Sequence, residues 1–283
     1  MTSRLDYKPA VLLSTPALVA IMPFLAACLY VLRFSFSADE SSIAGFSVSS
    51  YQGLADTYFL SALGLTLKLA VFSTVLVLVL AVPLAFLLAT TRSPFLRRML
   101  TVAILLPMIL NLLIQAYGWI ILLGPTGVLN TVLRSTGLIT RPLFLLFNET
   151  GVLIGLVQTA LPLAVFPILS ATRAVSRECL EAAASLGAGH WRTLFDITLP
   201  VLRPGLIGAA SIVFAFNASA FAIPLLLGGR RVQMLGVVIR DMISPMFNWS
   251  SAAAAGVVLI AITTLALVLA SWATNRSAKK EVR

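Results

Sequence analysis

A chain of 283 residues that is 59% hydrophobic and 11% charged, with a mean hydropathy of +1.01, lies far from the about 45–50% apolar and about 25% charged make-up of soluble globular domains. The same wealth of apolar side chains excludes a disordered chain, which lacks the burial that offsets ordering entropy. A net charge of +10 and a pI of about 10.4 suggest nucleic acid at first sight, but the basic residues stand in short clusters between long apolar runs, a membrane-topology pattern and not a nucleic-acid face.

A bilayer core of about 30 Å is crossed by about 20 apolar helical residues. Six stretches reach that length, so the expected fold is all-α and polytopic, with six transmembrane helices. The first runs from about Ala10 to Leu32. It contains Leu25-Ala26-Ala27-Cys28, the wording of a lipoprotein processing site, but stays apolar through Leu32 and is expected to remain as a span. Neither Cys28 nor Cys179 belongs to a Cys/His cluster, so no metal, disulfide or cofactor is expected.

The second span, Leu60 to Ala89, carries Lys68 about eight residues in, roughly 12 Å deep. Its stem can snorkel outward, or its ammonium can line a pathway. In the third, Leu100 to Leu123, Asn111 and Gln115 stand four apart on one helix face. With Gln158 of the fourth span, Gly151 to Ser170, and Asn217 of the fifth, Leu206 to Leu227, they are candidates for a wet pathway, with interhelical hydrogen bonding as the alternative. Pro107, Pro162, Pro167 and Pro224 can loosen nearby backbone for gating. The sixth span is Ala252 to Ala273. The chain then divides into residues 1–59 with the first span and an outer loop, a five-span core over 60–273, and a tail over 274–283.

An even count puts both termini on one side. With the termini inside, that side holds Arg4, Lys8, Arg92, Arg97, Arg98, Arg173, Arg177, Arg192, Arg203, Arg276, Lys279, Lys280 and Arg283, thirteen basic residues against six outside. The excess favours cytoplasmic termini. The outer six are Arg33, Arg134, Arg141, Arg230, Arg231 and Arg240, and the last three can help dock an external protein or stand as solvated loop charge.

The inner segment 171–203 is long and polar. Ser176 is placed to cap a helix, Glu178 and Glu181 suit its first turns, and Gly187 suits a left-handed stop, so a helix is expected from Arg177 to Leu186. Leu180, Ala183, Ala184 and Gly187 then form a stripe of mostly small residues that another surface can approach. A second amphipathic stretch, Trp191 to Leu199, is expected to end at Pro200, with Pro204 introducing the fifth span. The bland reading of the loop is an amphipathic helix on the membrane surface.

Its spacing is Glu181-Ala182-Ala183, three residues, Gly187, nine residues, then Ile197-x-Leu199-Pro200. This resembles, without departure at those positions, the E-A-A-x3-G-x9-I-x-L-P loop of membrane subunits of binding-protein-dependent ABC importers of type I. The resemblance implies a cytoplasmic coupling helix between the fourth and fifth spans, seated on a separate ATPase subunit. Glu181, Ala182, Ala183 and Gly187 would make the coupling contact, and Ile197, Leu199 and Pro200 would position the loop. It further implies two ATPase subunits, a second homologous permease subunit, a periplasmic solute-binding protein and a bacterial inner membrane, with membrane lipid and no nucleic acid as partner. Ala116-Tyr117-Gly118-Trp119, Gly124 to Asn130 and Phe221 to Gly229 look like the spermidine/putrescine branch, whose wording is shared by importers of ferric iron, aminophosphonates and opines.

A Walker A site needs Gly-Lys, and none of Lys8, Lys68, Lys279 and Lys280 follows a glycine. ATP hydrolysis is therefore expected elsewhere and no enzymatic activity here. Two other classes remain as alternatives. An ion-gradient-driven secondary transporter would carry acidic residues within its spans, and none falls there. A membrane enzyme would need converging acid, base or metal ligands, and the single histidine, His190, lies in the inner loop. A polyamine would be expected to meet carboxylates, which the spans lack.

Overall fold

A computed structural model describes residues 7–38, 43 and 45–281. Arg4 and Arg283, and the side chains of Lys8, Arg177, Leu180, Ala184, His190, Arg276, Lys279 and Lys280, lie outside the described residues. Among the described residues every regular element is helical. In chain order these are α1 (Tyr7–Phe34), α2 (Ser49–Gly53), α3 (Thr57–Thr90), α4 (Pro94–Ile109), α5 (Leu112–Leu123), α6 (Val128–Ser135), α7 (Glu149–Arg173), α8 (Arg177–Ser185), α9 (His190–Thr193), α10 (Leu199–Ala218), α11 (Leu235–Ile243) and α12 (Trp249–Glu281), with wide π turns at Leu194–Thr198 and Pro224–Gly228. Five described stretches are long and apolar enough to cross a membrane, and Val19–Phe34 is a shorter apolar helix.

Local chemistry sets several starts. The Ser93 hydroxyl accepts from the Leu96 amide at 3.4 Å, and Pro94 occupies the first turn of α4, where a missing N–H is harmless. Asn148 caps α7 by accepting from the Gly151 amide at 3.0 Å, with Glu149 in the first turn, where the helix dipole favours its charge. The α7 helix therefore begins before Gly151.

The chain divides into two compact units, Met1–Thr57 with Ile239–Ala261, and Tyr58–Val238 with Ile262–Arg283. Within the first, the Ser35 and Tyr51 hydroxyls share a hydrogen bond of 2.7 Å, Phe36 stacks on Phe46 at 5.1 Å, and Ser50 donates to Ser250 at 3.2 Å. Cys28 lies exposed within α1, which continues past it to Phe34.

The second unit is organised around α7, half of whose apolar window is buried, against a third or less for the other spanning stretches. Val77, Ala81 and Ala85 of α3, Ile104 of α4, Ala164 and Ile168 of α7 and Leu202 and Val213 of α10 form one core. Gly205 lets α10 approach α7: a Cβ there would stand 2.6 Å from the Ala171 Cβ and 3.2 Å from the Pro167 carbonyl oxygen. Small residues allow such approach where helices pack in lipid by contact and not by water exclusion.

Two expected spans are not continuous helices. The third breaks at Leu110 and Asn111, both extended, between α4 and α5. Pro107 cannot donate to the carbonyl four residues earlier, and Asn111 caps a new start by accepting from the Leu113 amide at 2.8 Å. The fifth stops at Ala218 and resumes at Ala222. The expected end at Pro200 is also corrected. From His190 the chain stays helical through the π turn into α10, with Pro200 in the first turn and Pro204 inside the helix. Pro200 stands in the first turn of α10, directly after the wide turn that holds the carbonyl four residues before it, so its ring does not terminate the helical path.

Candidate functional site

The loop between α7 and α10 is built from local signals. The Ser176 hydroxyl accepts from the Cys179 amide at 3.1 Å, capping α8, and Glu178 lies in the first turn. At the other end Gly187 has φ +76, and the Ala188 amide donates to the Ala183 carbonyl at 3.0 Å, the long hydrogen bond of a Schellman stop. A Cβ on Gly187 would meet nothing within 4 Å. Glycine is needed there for its backbone, not for space.

Glu181 and Ala182 are exposed, whereas Ala183 is 7% exposed and faces the loop itself. It lines a groove of about 500 Å³ with Ala182, Leu186, Arg192, Asp196 and Ile197. Arg192 and Asp196, one turn apart at 3.4 Å, are both mostly exposed. The most prominent group is one that sequence reading passed over: Leu186 is 88% exposed, the highest value among the exposed large hydrophobic residues of the described chain. It falls off the stripe of Leu180, Ala183, Ala184 and Gly187, and its only signal was an apolar residue directly before the glycine stop. Of the residues expected to position the loop, Ile197 and Leu199 are half-buried and Pro200 is exposed. The Thr198 hydroxyl, buried, donates to the Thr193 carbonyl at 3.2 Å and ties the π turn to α9.

The membrane polar residues occupy distinct positions. Asn111 and Gln115 both serve the break in the third span. The Gln115 amide nitrogen donates to the Pro107 and Leu110 carbonyls at 2.7 and 2.9 Å, satisfying acceptors that the break frees. Asn217 is fully buried and donates to the Ser73 hydroxyl at 2.8 Å, joining α10 to α3. Gln158 accepts from the Trp119 indole at 3.3 Å. The Gln115 and Asn217 side-chain oxygens are buried with no hydrogen-bond partner among the described residues.

Lys68 has a partner that sequence reading missed. Its ammonium donates to the Glu149 carboxylate at 2.6 Å, with both side chains about half exposed. Glu149 went unnoticed because α7 starts two residues before the expected span. Outside the spans, Arg240 pairs with the neighbouring Asp241 at 2.7 Å. Among the described residues no group of His, Cys, Asp or Glu could hold a metal ion.

The family described as binding-protein-dependent transport system inner membrane component is matched over residues 81–279. The spermidine/putrescine transport system permease protein PotB of Haemophilus influenzae is 30% identical over 257 residues, 90% of this chain and 89% of that protein. The molybdenum transport system permease protein ModB of Azotobacter vinelandii is 34% identical over 190 residues, 66% of this chain and 82% of that protein. A solved structure of a bacterial alginate ABC transporter in complex with an alginate pentasaccharide-bound periplasmic protein contains a chain with a TM-score of 0.81 at 20% identity, covering 98% of this chain and 99% of that one. At that identity the likeness is one of fold.

Proposed function

From the premise that the chain belongs to the family of binding-protein-dependent transport system inner membrane components, multi-pass proteins of the inner membrane, we propose that it is the permease subunit of an ATP-driven importer for small polyamine-type cations. In this reading a periplasmic binding protein delivers the solute, a second homologous permease completes the pathway, two ATPase subunits supply the energy, and both termini are cytoplasmic. No ATP is hydrolysed by this chain.

The observation that carries the reading is the loop at 176–200: a helix closed at both ends by its own chain, with Leu186 exposed at the tip. An apolar side chain so exposed fits a pocket on another polypeptide, where burying it contributes about 1.5–3 kcal/mol. Because α9, the π turn and α10 follow as one helical path, force passed from α8 through the short turn at Leu186 to Gly189 is carried on to the fifth span. Glu181 and Ala182 lie on the exposed side of α8, and Ala183 and Ile197 keep its shape from within the groove.

Cargo chemistry rests on the relatives. The polyamine permease covers nine-tenths of the chain and the molybdenum permease two-thirds, which favours the cation. The test is a complex assembled with its ATPases in a Cys28→Ser, Cys179→Ser background. A cysteine at Leu186 should cross-link to an ATPase subunit, and Leu186→Asp should reduce ATPase retention at least tenfold. Full retention with no cross-link at Ala182 or Leu186 would refute the coupling role. Uptake driven by an ion gradient in vesicles holding this chain alone would establish the secondary-transporter alternative instead.

A further inference from the structure

The segment joining α5 to α7 stands at the opposite end of the spanning α7 from the loop at 176–200. One side chain fixes it. Asn130, fully buried in α6, donates to the Gly124 and Leu143 carbonyls at 2.9 and 3.1 Å and accepts from the Leu143 amide at 2.7 Å. Asn148, whose oxygen caps α7, donates from its nitrogen to the Phe144 carbonyl. At Gly137, φ +74, the chain leaves α6, and the Leu138 amide donates back to the Leu133 carbonyl at 3.0 Å, a Schellman stop that folds Leu138 toward Leu133.

This pinned backbone displays apolar side chains outward. Around α6, Val128, Leu129, Val132 and Leu133 share one arc, Thr131, Arg134 and Ser135 share another, and Asn130 marks the side held to the protein. Val128, Leu129 and Val132 are exposed, and beyond the stop Leu138 is 73% and Phe144 80% exposed. A helix with protein on one side, apolar groups on a second and polar groups on a third has the profile of one lying in the plane of a bilayer surface.

Two observations name the occupant. The turn at Gly124 to Gly127 separates α6 from α5, yet α5 before it and α7 after it belong to stretches apolar enough to cross a membrane, so lipid is beside it at all times. A soluble partner that departs would return Leu138 and Phe144 to water. Charge is the second observation: Arg134 and Arg141 are exposed, no acidic residue occurs between Asp56 and Glu149, and Glu149 is held by Lys68. Guanidinium groups without a carboxylate nearby suit phosphate oxygens and a surface of negative charge.

We propose that residues 128–144 form an interfacial anchor for anionic phospholipid, with Val128, Val132, Leu138 and Phe144 among the acyl chains and Arg134 and Arg141 on the headgroup phosphates. The inference rests on the membrane location of the family and not on the proposed cargo.

The experiment places the complete importer in nanodiscs, which leave both faces open, in a Cys28→Ser, Cys179→Ser background. A bimane label at Val132→Cys or Phe144→Cys should be quenched by phosphatidylcholine with a doxyl group high on its acyl chain and spared by aqueous iodide, whereas iodide should reach a label at Thr131→Cys. If Phe144→Cys does not assemble, Leu138→Cys takes its place. At Val132, doxyl-labelled phosphatidylglycerol in otherwise neutral discs should be enriched about fivefold over the labelled phosphatidylcholine. Arg134→Gln with Arg141→Gln should abolish that preference, and Arg134→Lys with Arg141→Lys should keep most of it. Iodide quenching at the apolar positions would mean a wet surface, and shielding from both quenchers would mean cover by protein; either overturns the anchor. Equal quenching by the two lipids with both arginines present overturns the anionic site.

Discussion

The helix that ends at Gly187 and the helix that ends at Ala218 stop for different reasons. At Gly187 a left-handed residue in the exposed loop and one long hydrogen bond to Ala183 close α8, with no neighbour within 4 Å of the missing side chain. At Ala218 no glycine intervenes. There Ser219 folds its hydroxyl onto the preceding carbonyls, Asn217 is held by Ser73 of α3, and the chain turns away from the helix axis within the packed second unit. The loop ends its helix by local chemistry alone, whereas the span adds to a local hydroxyl a bond from Asn217 to a distant helix. The glycines divide the same way: Gly187 is required by its φ angle and Gly205 by the closeness of Ala171.

Substitutions at the two glycines should separate these regimes most sharply. Gly205→Val has no room between α10 and α7 and should cost about 3 kcal/mol, seen as a large fall in the melting temperature of the purified protein or as loss of folded material. Gly187→Val meets no atom but strains a left-handed backbone by about 1–2 kcal/mol. Its melting temperature should fall much less than that of Gly205→Val, while the ATPase co-purifying with it falls. Equal melting losses for the two would break the comparison.

Ser176→Ala removes only the cap of α8 and should cost that helix about 1 kcal/mol, read as faster amide exchange over 177–185 with the spans unaffected. Exchange rising in α7 or α10 as well would mean that the loop and the spans are one cooperative unit. The smallest effect belongs to Lys68 and Glu149. The pair is half exposed, so Lys68→Met should cost about 1 kcal/mol or less, and a double-mutant cycle with Glu149→Gln should return a coupling of that size. A coupling several times larger would mean that the pair is shielded from water in the assembled protein.

Much of the loop was legible because its signals lie within a few residues of one another. The Ser176 cap, the Gly187 stop and the helix between them follow from short-range hydrogen bonding. Leu186 was visible but not recognised, since a stripe counted by helix periodicity passes over a residue at the helix end. The break at Asn111 was half legible, with Pro107 upstream and a capping asparagine in place. A run of apolar residues from Leu100 to Leu123 hides such a break, because hydropathy sums over a window and takes no account of a cap within it.

By itself the sequence determined an all-α inner-membrane chain and the loop that marks its family, since apolar length, capping residues and motif spacing are properties of contiguous residues. Only the tertiary structure decided that Lys68 meets Glu149, that Asn217 bonds Ser73, and that the breaks of two spans open onto one cavity. Those facts join residues far apart along the chain. Their physical reason is packing: the close approach of α10 to α7 and the need to satisfy freed backbone groups in an apolar setting select one arrangement from the many that the same spans allow.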